Sequence, residues 1–354
     1  MNNNSDFNKS IYLLNLYKNN ITHSGDYYDY IQEHFFLKDS FIRWYMIYLM
    51  KNPNNNNIFP HENIVIKSDL EFGYEKGKIK TNPNKIYNNI NKYFNNVLLN
   101  QNQNQKQKQK FTLINLNKKK IKINDNQKNR LNYLLNKHKI DNEINEINNE
   151  EIINELLLLY TIISGNVHLS LPPIFNSKDG EYTSMELFGS PLNTHTDNYC
   201  SPFKFEQEYF GSSGSFFKFD FSKSECDLFI CNPPFDEIII KQMAIYIENQ
   251  LNNINNNDKS ITILITIPVW DSESQKELGI KNNGLPFEGF DLLCRSKFFK
   301  ERIMLDKNEY KYWNYYTEKK IPSSYTHCII LSLNDKYIHL STFTEKWKEW
   351  SNTE

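Results

Sequence analysis

The spacing of apolar residues changes character near residue 150. Before it, apolar positions recur at roughly helical spacing over 86–99, and 27–50 is rich in aromatics, so this part reads as helical segments. After it, 155–164 reads as a buried helix, and short apolar runs follow at 182–188, 216–221, 227–231, 260–268 and 326–333. Of these, 182–188, Asp-Leu-Phe-Ile-Cys at 227–231, Ser-Ile-Thr-Ile-Leu-Ile-Thr-Ile-Pro at 260–268 and Thr-His-Cys-Ile-Ile-Leu-Ser-Leu at 326–333 predict strands, and 236–251 predicts a helix. Strand, short loop, helix and strand over 227–268 make one βαβ unit, and the alternation predicts an α/β sheet. The chain therefore divides into a helical region, 1–150, a sheet domain, 151–340, and a C-terminal tail, 341–354.

Polar tracts interrupt the pattern. Asparagine dominates 54–57, 142–154 and 252–257, and Gln, Asn and Lys fill 100–109. Such composition cannot bury enough apolar surface to offset the entropy of ordering, so these tracts are expected to be peripheral.

Composition narrows the class without naming it. Across 354 residues, 41 Lys plus Arg face 42 Asp plus Glu, so global charge does not announce a nucleic-acid binder. The five cysteines (Cys200, Cys226, Cys231, Cys294 and Cys328) form no CxxC or CxxH pair, which predicts no metal site. Their odd number and irregular spacing also argue against a disulfide framework and for a reducing compartment. The longest apolar run, 156–163, is too short to span a bilayer, and the first residues lack signal-peptide character, so no membrane association is expected.

The strongest candidate chemistry is Asn232-Pro233-Pro234-Phe235, between the 227–231 strand and the following helix. The exocyclic nitrogen of adenine is a poor nucleophile because its lone pair is delocalised into the ring. The Asn232 side-chain oxygen and the Pro233 carbonyl can accept its two N–H bonds and hold it in line with the sulfonium methyl of S-adenosylmethionine. The prolines fix φ and stiffen the loop, and Phe235 offers a ring for the base, a contact worth roughly 1–3 kcal/mol in single-stranded nucleic-acid sites. The plain alternative is a turn after a buried strand, since Asn-Pro starts turns. Position favours the first reading, because ligands in open α/β sheets bind beyond the carboxyl ends of strands.

A cofactor pocket needs a glycine turn after a strand. Glu186-Leu-Phe-Gly-Ser-Pro-Leu-Asn193 supplies only one glycine and is no GxGxxG. Gly211-Ser-Ser-Gly214 is a second loop, with Asp220 expected on a strand after it as a partner for the cofactor adenine or amino group.

Leu171-Pro-Pro173, Glu186-x-Phe-x-Ser-Pro-Leu-Asn193, Tyr199-Cys-Ser201, Tyr209-Phe-Gly-Ser212, Gly214, Asp220-Phe221, the NPPF and Ile267-Pro-x-Trp270 run in order. Together they resemble the phosphorylated CTD-interacting factor family over roughly 167–334. The resemblance implies a Rossmann-like class I methyltransferase core behind a helical region, using S-adenosyl-L-methionine. The implied reaction is N6-methylation of a 2′-O-methyladenosine next to the 7-methylguanosine cap of messenger RNA, hence a nuclear location. A single-stranded end of this kind costs little to unstack. Carried over by position, Asn232, Pro233, Pro234 and Phe235 would meet the target base, and Glu186, Phe188, Ser190, Pro191, Asn193 and Asp220 the cofactor. The family's WW module, which binds the phosphorylated RNA polymerase II tail, needs two tryptophans about twenty residues apart. Trp44 stands alone in the first half of this chain, so polymerase binding is in doubt.

Other features carry two readings each. Lys106, Lys108, Lys110, Lys118, Lys119, Lys120 and Lys122, with no acid between 101 and 124, can neutralise phosphates or simply be solvated. The aromatics of 310–316 suit stacking on a cap guanine or packing in a core. His327, in a β-like run, reads as a core histidine, and Trp270 as a residue of the site's mouth or a core cap. Two further functions stay open: adenine methylation in another nucleic acid, and non-catalytic RNA binding or scaffolding. The glutamine methyltransferases, a third class acting on planar nitrogens, favour NPPY over NPPF.

Overall fold

A computed structural model of the chain describes residues 64–75, 82–88, 123–141, 148–163, 169–175, 182–254, 259–280, 287–315, 318–322 and 324–353. The chain divides into two compact units, one of 1–121 with 150–165 and the other of 122–149 with 166–354. Trp44, the aromatic stretch 27–50 and the lysines from Lys106 to Lys122 lie outside the described residues.

In the first unit the described helices are α1 (Ile64–Glu75), a short helical segment over 83–88 and, after α2 (Asp125–Asp141) of the second unit, α3 (Asn149–Ile163). Along α3, Ile152, Ile153, Leu156, Leu157 and Tyr160 are buried, the i, i+3, i+4 spacing of a helix with one dry face.

The second unit adds β1 (Leu169–Ser170), β2 (Ser184–Glu186), β3 (Asn198–Tyr199), α4 (Lys204–Phe210), β4 (Leu228–Cys231), α5 (Glu237–Asn252), β5 (Thr262–Pro268), α6 (Ser272–Glu277), α7 (Glu288–Arg295), β6 (Phe299–Leu305), β7 (Lys311–Asn314), β8 (Lys319–Pro322), β9 (Thr326–Ser332) and α8 (Leu340–Asn352). Six strands form a mixed sheet in the order β3-β2-β4-β5-β9-β6. The first four are mutually parallel, and β9 is antiparallel to both β5 and β6. A second, antiparallel sheet has the order β1-β7-β8.

Every residue of β4, β5 and β9 is buried, as expected for strands covered on both faces. On one face Leu228, Ile230, Leu264, Cys328 and Ile330 share a core with Tyr312 of β7 and Leu340, Phe343 and Trp347 of α8. On the other face α5 presents Ile239, Ile240, Met243, Ile247 and Leu251 at helical spacing, with Met243 Sδ 3.2 Å from Cys231 Sγ. Asp236 accepts from the Ile238 and Ile239 amides and fixes where α5 starts, a cap worth about 1 kcal/mol. Where α7 crosses α5, Gly289 lets the backbones meet, since a Cβ there would stand 2.8 Å from Ile240 Cγ2 and from the Lys241 nitrogen.

The structure differs from the sequence reading in three places. The strand predicted over 182–188 is only Ser184–Glu186. The apolar stretch 216–221 is two 3-10 turns, Phe216–Lys218 and Phe221–Lys223, so Asp220 lies on no strand. Its carboxylate accepts from the Ser222 amide and hydroxyl, which favours a turn over a ladder. Residues set apart as a tail form α8, where Trp347 is buried and its Nε1 donates to the Lys311 carbonyl at 2.7 Å.

Candidate active site

β2 and β4 are adjacent and parallel, yet the chain leaves them in opposite directions along the sheet: β2 leads to β3 on one side, β4 to β5 on the other. That is a topological switch point, where open α/β sheets form a crevice beyond the strand ends. The loop after β2 begins Leu187-Phe188-Gly189 and the loop after β4 begins Asn232-Pro233. The Leu187 amide donates to the Ile230 carbonyl at 2.8 Å, which holds the two loops side by side. Of the ten candidates from the sequence, eight lie in these two loops, Glu186 ends β2 and Asp220 lies outside both.

Glu186 ends β2 half-buried, and its Oε1 accepts from the His195 amide at 2.8 Å. Burial pushes its carboxyl up to about 7, against the lowering effect of that hydrogen bond and those from Thr194 and Thr196. Gly189 sits against it, since a Cβ there would be 3.3 Å from Glu186 Oε2 and from Tyr199 Cβ. His195, which supplies the amide, is itself pushed down to about 4 by burial and then by the Arg130 charge. Arg130, Tyr133 and Lys137 of α2 converge on Asp197, and Arg130 also donates to the Thr196 carbonyl at 2.9 Å, so α2 fixes the loop that holds Glu186.

The rest of that loop is organised around itself. Asn193 Oδ1 accepts from the Ser190 amide at 2.7 Å and the Ser190 hydroxyl at 2.9 Å, closing a tight turn around buried Pro191 and Leu192. Phe188 packs on Phe216 at 4.8 Å between centroids and on Phe217 at 6.2 Å. Asp220 caps the second 3-10 turn and pairs with Lys223 at 3.1 Å. The Ser222 hydroxyl is the main cause holding its carboxyl below the ordinary value.

Asn232 follows Leu228 and Ile230 on the same face of β4, by simple alternation. β4 and β5 pair in register, Ile230 with Leu264 and Cys231 with Ile265, so Thr266 stands opposite Asn232 on the next rung. The Thr266 hydroxyl donates to Asn232 Oδ1 at 2.9 Å. Thr266 is wholly buried beside the Tyr312 hydroxyl, which lies 3.2 Å from Thr326 Oγ1. The Pro234 carbonyl accepts from the Asp236 amide at 2.8 Å, tying the loop to the start of α5.

Half-buried Phe235 begins an aromatic series. Its ring is 6.4 Å from Trp270, Trp270 is 5.4 Å from Phe287, Phe287 stacks on Phe290 at 6.0 Å, and Phe290 stacks on His327 at 4.4 Å. Trp270 is the exposed member, 36% accessible, and so fits the site's mouth better than a core cap. His327 is fully buried, with Nε2 2.7 Å from Asp271 Oδ2, as a core histidine should be. Of the aromatics of 310–316, Tyr312 is buried, Tyr310 packs on Trp347 at 5.8 Å, Trp313 on Trp350 at 6.1 Å and Tyr315 on His195 at 5.7 Å, while Tyr316 lies outside the described residues. Tyr312 thus serves the core.

Sequence reasoning missed Thr266 and the Thr194–His195–Thr196 segment. The first was available from register, since Asn232 and Thr266 keep the offset of 34 that pairs β4 with β5. The second carried no signal, because what holds Glu186 is a main-chain amide. Among the described residues no group of His, Cys, Asp and Glu could hold a metal, and no helix is long and apolar enough to cross a membrane.

The family model described as "Phosphorylated CTD interacting factor 1 WW domain" matches residues 130–315, from within α2 to the end of β7. Two curated proteins are similar over 129 residues, 36% of this chain. Both bear the name mRNA (2′-O-methyladenosine-N(6)-)-methyltransferase; the human protein is 28% identical and the mouse protein 27%. The aligned stretch spans 16% of either relative's length.

Proposed function

This chain belongs to the phosphorylated CTD interacting factor 1 family, and from that premise we propose that it is an S-adenosylmethionine-dependent RNA methyltransferase acting on N6 of the first transcribed adenosine of capped messenger RNA. The observation that carries the reading is the NPPF at the end of β4, beside the Glu186 loop at the end of β2, across a switch point. The strand order, with one antiparallel strand inserted between parallel neighbours near one edge, supports a Rossmann-like methyltransferase core.

The residues fit the cofactor by their chemistry: a half-buried carboxyl at Glu186 for hydroxyl or amino groups and an aromatic face at Phe188. Ser190, Pro191 and Asn193 act as the frame of that turn, and Asp220 as the cap of a neighbouring one. Bound there, S-adenosylmethionine supplies an electrophilic methyl group. The chain's own work is to aim the nucleophile. Asn232 Oδ1 keeps a second lone pair for one N–H of the adenine amine, and with the Pro234 carbonyl already engaged, the Pro233 carbonyl takes the other. Phe235 and Trp270 supply faces for the base and keep water from it. No strong general base is needed, because the amine becomes acidic as the methyl is transferred.

Capped messenger RNA as substrate implies a nuclear location. The RNA polymerase II tail enters this reading only as a second partner, since Trp44 has no companion tryptophan in the first half of the sequence.

The test is methyl transfer from labelled S-adenosylmethionine to short RNAs that begin with adenosine or 2′-O-methyladenosine, capped or with a 5′ triphosphate, read by nucleoside mass spectrometry. Cap-dependent N6-methylation of the first adenosine is expected. Equal transfer to capped and uncapped RNA would move the substrate to another adenine, and RNA binding without transfer would make the chain a scaffold.

A further inference from the structure

We infer that Thr266 is the positioning residue that aims Asn232, and that the hydroxyls of Tyr312 and Thr326 behind it form a buried brace reaching the second sheet. The inference rests on the methyltransferase reading of Asn232 and adds a residue to it that lies outside the NPPF.

The geometry makes the case. A carboxamide can present either its oxygen or its NH2 group to a substrate, and the two ends differ by a half-turn about one bond. Only the oxygen can accept from an amine that must lose hydrogen-bonded protons. What selects the end is the partner on the protein side. Thr326 donates to the Ser324 carbonyl at 3.0 Å, and the Tyr312 hydroxyl lies 3.2 Å from the Thr326 oxygen. The Thr266 proton goes to Asn232 Oδ1 at 2.9 Å, and because a hydroxyl has one proton only, the Tyr312 hydroxyl beside Thr266 can support this pair only by donating to the Thr266 oxygen. A carboxamide anchored by its oxygen on one lone pair presents the other lone pair of that same oxygen outward.

The surroundings make the selection rigid. Thr266, Thr326 and Tyr312 are each at most 2% exposed, and Leu264, Cys328, Ile330 and Trp347 pack around them, so no water competes for these protons. Thr266 is fixed in β5 by its ladder pairing with Cys328 of β9. Tyr312 comes from β7 and is clamped edge-on by Trp347 of α8, with centroids 5.4 Å apart. The aim of the loop thus depends on elements that never meet the substrate.

Thr266→Val keeps the shape and removes the donor; Thr266→Ser keeps the donor. The expected result for the valine variant is a fall in kcat of about tenfold, the worth of one lost hydrogen bond in the transition state. KM for capped RNA and cofactor affinity by calorimetry should stay within about twofold of wild type. The serine variant should recover most of the rate. Tyr312→Phe should lose a smaller share, because the Thr266 oxygen then lacks a donor and can accept from the NH2 end of the carboxamide. A crystal structure of the valine variant should find the Asn232 carboxamide turned or in two orientations.

An unchanged kcat in the valine variant, or equal losses in the valine and serine variants, would overturn the brace. Asn232→Ala separates the two ideas. If it abolishes turnover while Thr266→Val does not slow it, the catalytic reading stands and the brace falls. If Asn232→Ala turns over at the wild-type rate, the reading itself falls.

Discussion

The ring of Phe235 meets the ring of Trp270 edge to face, with centroids 6.4 Å apart and planes at 80°. Phe235 is half-buried against the core, whereas Trp270 is exposed over about a third of its surface. One ring is thus anchored and the other available, an arrangement suited to clasping a flat base.

Trp270→Ala is therefore expected to weaken binding of capped RNA beginning with adenosine by roughly 5- to 100-fold, the range of one base–aromatic stack. Affinity for S-adenosylmethionine should not change. Fluorescence anisotropy with labelled RNA, alongside calorimetry with the cofactor, reads both quantities. Wild-type RNA affinity would remove Trp270 from the base pocket.

A cofactor held by Glu186, as proposed, would bind with a pH dependence. With its carboxyl pushed up to about 7, Glu186 is mostly protonated at pH 6 and mostly ionised at pH 8. A ligand that needs the carboxylate should bind about tenfold more tightly at pH 8 than at pH 6. Glu186→Gln should bind more weakly at pH 8 and lose the dependence. A flat profile for the wild type would place the ligand away from Glu186.

The same residue and its neighbour affect stability in opposite senses. Glu186 is raised, so its contribution is full below the ordinary carboxyl value and is lost as pH rises toward about 7. His195 is lowered to about 4, so its contribution is full above the ordinary histidine value and is lost as pH falls toward 4. Between about pH 4.5 and 6.5 the two slopes oppose one another, each up to about 1.4 kcal/mol per pH unit. Glu186→Gln should unmask the histidine and make the protein more acid-sensitive in that window. Urea midpoints measured from pH 4.5 to 7 check this, and parallel curves for variant and wild type would refute it.

Gly289→Ala should destabilise the second unit by roughly 1–3 kcal/mol, because the new methyl meets Ile240 Cγ2 and the Lys241 nitrogen at 2.8 Å. A lowered thermal midpoint with retained cofactor affinity is the expected pattern. An unchanged midpoint would mean that α5 and α7 separate freely.

The strands around the NPPF were legible because β4, β5 and β9 are covered on both faces and so read as unbroken apolar runs. The helix between β4 and β5 was legible from its period and its Asp236 cap. The two strands of the Glu186 edge were not, since β2 has three residues and β3 two, too few for a period to show. Phe216 to Phe221 misled for a physical reason: aromatics satisfy a 3-10 turn as readily as a strand once they cluster, and the deciding term was Asp220's bond to Ser222. Of the candidate site, the loop positions could be read directly, but the partners that set Glu186 and Asn232 are contacts across the sheet. They become visible only with strand register.

β9 is the last strand in the chain and yet sits inside the sheet, between β5 and β6. During synthesis, β5 and β6 must wait with unsatisfied edges facing one another until residues 326–332 have left the ribosome and inserted between them. Thr326 arrives with that strand, and Trp347 later still with α8. A nascent chain that has already made its whole NPPF loop is therefore still an open half-sheet with two adhesive edges, the stage at which chaperone capture or self-association would act on it. The sheet that carries the NPPF is thus closed by a strand made well after it.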